Sequence, residues 1–176
     1  SVAKEAGVDK VLIYRYFGGL SQLIAAFGRE GDFWPSIEEL AGGDILEMGR
    51  LPMAERMVLL AKNYLRAIRK RPLTQEILAW EMIERNKLTE ELEMVREMTT
   101  QKLFELFGPP PGKGPDLAAV SAIIGASINY LVTRSRTVRW FSGIDLHSEE
   151  GWSRLEQAFE GIIRSVLSDS GTPAPA

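Results

Sequence analysis

Along nearly the whole chain apolar residues recur three and four positions apart, and period-two alternation of β-branched residues is missing, a pattern that predicts an all-α protein. From Met53 to Ile68 the residues Met53, Met57, Leu60, Tyr64 and Ile68 fall on one helical stripe. Arg69, Lys70 and Arg71 close that helix, where cations suit the negative end of the helix dipole. Pro72 ends it and opens the next, predicted to run through Ile77, Trp80 and Glu84, because a helix's first residue needs no amide donor. Thr89 reads as the N-cap of a further helix with Leu92, Val95 and Leu106 inward, stopped at Gly108.

Residues 108–115, Gly-Pro-Pro-Pro-Gly-Lys-Gly-Pro, read as a loop, since proline lacks the amide and glycine carries a high entropy cost. The most apolar helix is expected from Asp116 to about Arg139, followed by a turn at Gly143. A last helix follows Ser148, with Trp152, Leu155, Phe159, Ile162 and Val166 as its seam. Residues 32–50, broken by Pro35, Gly42 and Gly43, read as a connector between an N-terminal unit, 1–31, and a helical domain, 51–168; residues 169–176 are expected to be a disordered tail.

Within the N-terminal unit, Val2-Ala3-Lys4-Glu5-Ala6-Gly7-Val8 reads as a helix end followed by a glycine where a tight turn needs positive φ. Ala3 and Ala6 allow two helices to meet closely, Val8 is expected to fill the corner, and Asp9 caps the next helix. On that helix Ile13 and Phe17 share an inward face, while Lys10, Tyr14 and Arg15 point outward. Gly18-Gly19 breaks the chain before Leu20, Leu23, Ile24 and Phe27 restart helical spacing.

The combination Ala3-x-x-Ala6-Gly7-Val8, then Ile13-Tyr14-x-Tyr16-Phe17, then Leu23, resembles the helix-turn-helix signature of the TetR family of bacterial transcription regulators. The run Phe141-Ser142-Gly143-Ile144-Asp145-Leu146 leading into Glu150-Gly151-Trp152 is similar to the entry to the last helix in many of them. Between these ends the resemblance is one of helix number and length.

The resemblance implies a helix-turn-helix remnant followed by a helical effector-binding and dimerisation domain. It implies operator contacts at Lys10, Val11, Tyr14, Arg15 and Tyr16. It implies a homodimer, with Ile124, Ile128, Leu131 and Val138 of one helix and Trp152, Leu155, Phe159, Ile162 and Val166 of the next pairing with their copies. A two-fold dimer matches half-sites about one DNA turn, ~34 Å, apart. The pattern departs at Leu12, where the family usually has Thr or Ser, and at Leu20, where it usually has a phosphate-binding Lys. The chain starts inside the motif's second helix, so the first is expected ahead of Ser1.

Charge adds only slight support. Residues 1–31 carry four cations against three acids, a net of +1 that leaves −4 for the remainder of a chain whose formal charge is −3. There is no Cys and one His, His147, which fits a reducing cytoplasm and predicts neither cofactor nor metal. No run of about 20 apolar residues is read along the chain, and no membrane partner is expected. Nucleophile-base pairs and phosphate-cradling glycine loops are missing, so an enzyme is not expected.

For an effector site the candidates are Leu60, Tyr64, Trp80, Glu81, Glu84, Asn129, Tyr130 and Thr133, polar groups set in or beside apolar stripes. The aromatic and Met content suits a large apolar molecule, and the two acids near Trp80 suit a cationic one. The charge-rich stretches Arg66 to Arg71 and Glu90 to Glu97 read as solvated faces. Two functions stand side by side. One is a DNA-binding regulator, with repression relieved by a small, largely apolar effector as the default sign. The other is a ligand-binding or scaffold dimer that no longer reads DNA.

Overall fold

The computed structural model describes residues 2–30, 32–108 and 115–168, and these are mostly helical. Residues 109–114 of the predicted loop and the tail 169–176 lie outside the described residues, as do the side chains of Lys10 and Leu20. In chain order the helices are α1 (Val2–Glu5), α2 (Lys10–Phe17), α3 (Leu20–Glu30), α4 (Ile37–Leu40), α5 (Ile45–Arg50), α6 (Met53–Arg69), α7 (Pro72–Glu81), α8 (Lys87–Phe107), α9 (Leu117–Ser135) and α10 (Glu149–Ser168).

The stripe read from Met53 onward is the axis of the fold: α6 packs against α4, α7, α9 and α10. Its inward Val58, Leu65 and Ile68 share one core with Leu78 of α7, Ile124, Ile128, Leu131 and Val132 of α9, and Trp152, Phe159 and Ile163 of α10. Gln75 closes the end of α6 by donating from Nε2 to the carbonyls of Ile68 and Arg69, at 2.9 and 3.1 Å, acceptors in the helix's last turn. A smaller core of Ala41, Met48 and Phe107 lies where the connector meets the end of α8. Arg56 ties it together, donating to the carbonyls of Phe107, Gly49 and Leu51 at 2.8 to 2.9 Å.

Several boundaries differ from the sequence expectation for local reasons. The connector holds two short helices, because Ser36 and Asp44 each accept a hydrogen bond from the amide three residues on. Helix α7 ends at Glu81, short of Glu84. Thr89 is not the cap of α8; Asn86 is, its Oδ1 accepting from the amides of Leu88 and Thr89 while Thr89 Oγ1 accepts from the Asn86 amide. Helix α9 stops four residues before Arg139. Its continuation becomes a hairpin, β1 (Trp140–Phe141) against β2 (Ile144–Asp145), antiparallel with Phe141 opposite Ile144. Ser142 and Gly143 have φ of 49° and 76°, the two positive values that a tight hairpin turn needs, and the flanking aromatics suit strands better than a helix end.

The N-terminal helices meet at Gly7, φ +65°, and Asp9 caps α2 by accepting from the Val11 amide at 2.9 Å. Helix α2 packs on α3, and α3 packs along α8.

Candidate functional site

Two surfaces and one cavity gather the candidate residues. On α2, Val11, Tyr14, Arg15 and Tyr16 are exposed, Tyr16 to 73%. Of the five predicted contact residues, these four therefore share one short helix whose outer side meets solvent. Ala3 is buried and Ile13 half-buried, but Val8, expected to fill the corner beyond Gly7, and Phe17, expected on the inward face with Ile13, are both about 40% exposed. Leu12 is also exposed, an apolar side chain on a surface otherwise rich in polar groups.

The cavity, about 730 Å³, lies between α6, α8 and α9, large enough for a small organic ligand. Leu60, Met57, Phe104 and Phe107 supply much of an apolar wall. Its polar end is a cluster around Tyr64, whose hydroxyl donates to Asn129 Oδ1 at 2.6 Å. Burial pushes the Tyr64 hydroxyl well above its ordinary pKa of 10, against the smaller opposing pull of the Asn129 bond and the nearby Arg96 charge, so it stays protonated. Trp34 stacks obliquely on Tyr64, 5.6 Å between ring centres, and the Arg96 guanidinium sits 5.6 Å from the Trp34 ring. Arg96 is held in place by Glu81, 2.7 Å away, with the two side chains only 16% and 13% exposed.

Leu60, Tyr64 and Asn129 are thus brought together on the cavity wall. The other five predicted ligand contacts are not. Glu81 reaches the cavity only through Arg96. Glu84 accepts from the Trp80 indole at 3.1 Å and from Asn86 at 3.2 Å, out on the α7 end. Tyr130 is exposed and meets Phe141 edge-on, and Thr133 is buried further along α9 with its hydroxyl unpartnered. Helical periodicity explains the miss: Tyr130 lies one residue past Asn129, which turns it about 100° around the helix. Trp34 and Arg96 were hidden in the sequence, one inside a Pro- and Gly-broken connector and the other inside a charge-rich stretch that reads as solvated. Arg66 to Arg71 corrects the same reading, since Arg66 and Arg69 pair with Glu156 and Glu149 across the α6–α10 seam. Arg71, 9% exposed, forks onto Glu39 and Asp32 of the connector.

The expected interface needs a larger correction. Ile124, Ile128, Leu131, Trp152 and Phe159 are buried in the chain's own core, so they are not available to a second copy. Val138, Leu155 and Val166 are half-buried, and Ile162 alone of the nine is exposed. The inward stripe and the outward stripe of an apolar helix look alike in sequence, and here α6 and α7 have claimed the first. What α9 leaves uncovered is a different side, with Ile123 66% exposed, Tyr130 exposed and Ser127 half-buried between them. At 19 residues and a mean hydropathy of 1.4, α9 is also long and apolar enough by length and composition to cross a membrane, against the expectation of no such run; a third of it is buried in this fold.

Among the described residues no group of three or more His, Cys, Asp or Glu side chains is placed to hold a metal ion. The His147 ring sits 2.8 Å from the Ser135 carbonyl, bracing the hairpin against the end of α9. Compared with models of known protein families, with curated proteins and with solved structures, the chain matches none of them.

Proposed function

We propose that this chain is a TetR-like transcription regulator of the bacterial cytoplasm, a dimer that reads DNA through α2 and releases it when an apolar effector fills the cavity. The observation that carries the reading is mechanical. Helix α3 packs against α2 on one side and against α8 on the other, and α8 is a wall of the cavity. One helix therefore touches both the exposed Tyr14-Arg15-Tyr16 surface and the element that a ligand would displace. A ligand that favours one α8 position over another changes the placing of α2, and DNA affinity falls by linkage. The exposed Ile123 and Tyr130 on α9 support self-association, since they offer a second copy an apolar contact. No part of this reading calls for catalysis.

The test is binding of the complete gene product to its own upstream DNA, measured by fluorescence anisotropy at several salt concentrations beside random DNA of equal length. A steep fall with salt together with a preference for the upstream sequence is expected. Tyr14→Ala should weaken that binding while the dimer persists. Equal affinity for both DNAs would leave the second reading, a ligand-binding dimer without operator recognition, which the exposed Leu12 in place of a polar contact favours.

A further inference from the structure

We infer that the cavity takes an apolar chain ending in a carboxylate, recognised by Arg96, Asn129 and Trp34. The inference rests on reading the cavity as an effector site and adds the chemical class of the effector. The polar end of the cavity is a set of hydrogen-bond donors that the protein leaves unused. Arg96 spends Nη1 on Glu81, and among the described residues its Nε and Nη2 donate to no protein acceptor. Asn129 accepts from Tyr64 through Oδ1, and among the described residues neither its Nδ2 donors nor the Trp34 indole N–H has a protein partner. Guanidinium and indole cannot accept at all. These donors are open to solvent, so a ligand group that displaces water from them gains most by bringing acceptors, and more than one.

Charge narrows the class. The two acids near Trp80 first suggested a cationic ligand, but Glu81 is consumed by Arg96 and Glu84 by Trp80 and Asn86, so neither presents a free carboxylate to the cavity. Glu97 does border the cavity, yet it is exposed and follows Arg96 by one residue, about 100° around the helix. The fixed cation facing the Tyr64 cluster is Arg96. Its planar fork can hold Glu81 through one nitrogen and a second carboxylate through the others, the geometry in which arginine exceeds lysine. Glu81 here acts as a positioning residue: it holds the guanidinium over Trp34 without touching the ligand. Met57, Leu60, Phe104 and Phe107 on the wall offer an aliphatic chain dispersion contacts.

Calorimetric titration with decanoate, decan-1-ol and decylammonium, each below its micelle concentration, tests the class with one chain length and three head groups. Decanoate should bind about tenfold or more tighter than decan-1-ol, the scale of charge-assisted hydrogen bonds, and decylammonium should bind weakest. Arg96→Gln should remove the preference and keep the decan-1-ol affinity; because it strands the buried Glu81, the pair Glu81→Gln with Arg96→Gln is run beside it, leaving no unpaired acid. If decan-1-ol or decylammonium equals or exceeds decanoate, the carboxylate class is wrong while the apolar cavity stands; if the double variant still prefers decanoate, its recognition by Arg96 is wrong. If none of the three binds the parent, the effector cavity itself falls, and this inference with it.

Discussion

Gly28 on α3 lies so close to Val95 on α8 that a methyl group placed on it would stand 2.9 Å from Val95 Cγ2 and 3.2 Å from Leu92 Cδ2. The contact is where the N-terminal unit is fastened to the wall of the cavity. Leu92 is fully buried and Val95 is β-branched, stiff about χ1, so neither can swing aside. Gly28→Ala gains up to about 1 kcal/mol of helix propensity but overpacks at a cost of about 1 to 3 kcal/mol, and the second effect wins. Urea unfolding should show net destabilisation, larger for Gly28→Val. Gly49→Ala, at a helical glycine with no atom within 4 Å of the added carbon, is the control and should be neutral or stabilising.

Substitutions on the last helix separate self-association from folding. Phe159 is 7% exposed and Ile162 50% exposed, three residues apart on α10. Phe159→Asp buries a lone carboxylate in the main core, and a loss of several kcal/mol is a large share of the about 5 to 15 kcal/mol that a domain possesses. Circular dichroism should report an unfolded or barely folded protein. Ile162→Glu and Ile123→Glu should keep the helical spectrum and shift the mass measured by light scattering from two chains to one. Folded dimers from both would place the contact on another face.

Acid should loosen the seam between α6 and α10. Glu55, Glu149 and Glu160 are each held below the ordinary glutamate value of 4.5, chiefly by hydrogen bonds from Arg164, Arg69 and Lys62 respectively. A carboxylate whose folded pKa is depressed contributes stability that is fully present above 4.5 and is lost as pH falls through the folded value. Melting temperature should therefore be insensitive to these groups near neutrality and decline once pH drops below about 4.5. Each pair is at least partly open to solvent, so added salt should weaken them at neutral pH as well. Glu149→Gln, which cannot titrate, should show a shallower acid decline than the parent; an equal slope would assign the acid effect to other groups.

The sequence made some of this legible and left some of it closed. Helix α6 was readable from end to end because its stripe, its closing cations and Pro72 all point the same way. The start of α10 was equally plain, since Ser148 accepts from the Gly151 amide as its capping pattern suggests. What could not be read was which side of α9 faces in, because Ile123, Ile124 and Ile128 are equally apolar and only the packing of α6 and α7 chooses among them. The cavity was half visible: Tyr64 and Asn129 stood out as polar groups in apolar stripes, whereas Arg96 sits among Glu90 to Glu97 with nothing local to mark it as inward. Its burial depends on Glu81 of another helix and Trp34 of the connector, both distant in sequence.

Trp34 gives the last and most discriminating test of the proposed regulation. Phe27 of α3, Phe33, Trp34 and Tyr64 form a continuous chain of rings at 5.6 to 6.0 Å centre to centre, running from the N-terminal unit to the polar end of the cavity. Thr74 pins the middle of it by donating to the Phe33 carbonyl from a fully buried hydroxyl, so the chain is braced at one point and open to a ligand at its end. Trp34→Leu keeps an apolar side chain at the wall but removes the ring that touches both Phe33 and Tyr64. Operator binding without ligand should survive within about threefold and decanoate should bind up to about tenfold more weakly for want of the indole donor, while at saturating decanoate the ratio of operator affinities without and with it should fall toward one from the range of about 5 to 150 that couplings of this kind span. Coupling that persists in Trp34→Leu would shift the burden of transmission to the Gly28–Val95 contact between α3 and α8, where Gly28→Val would then be the variant that abolishes it.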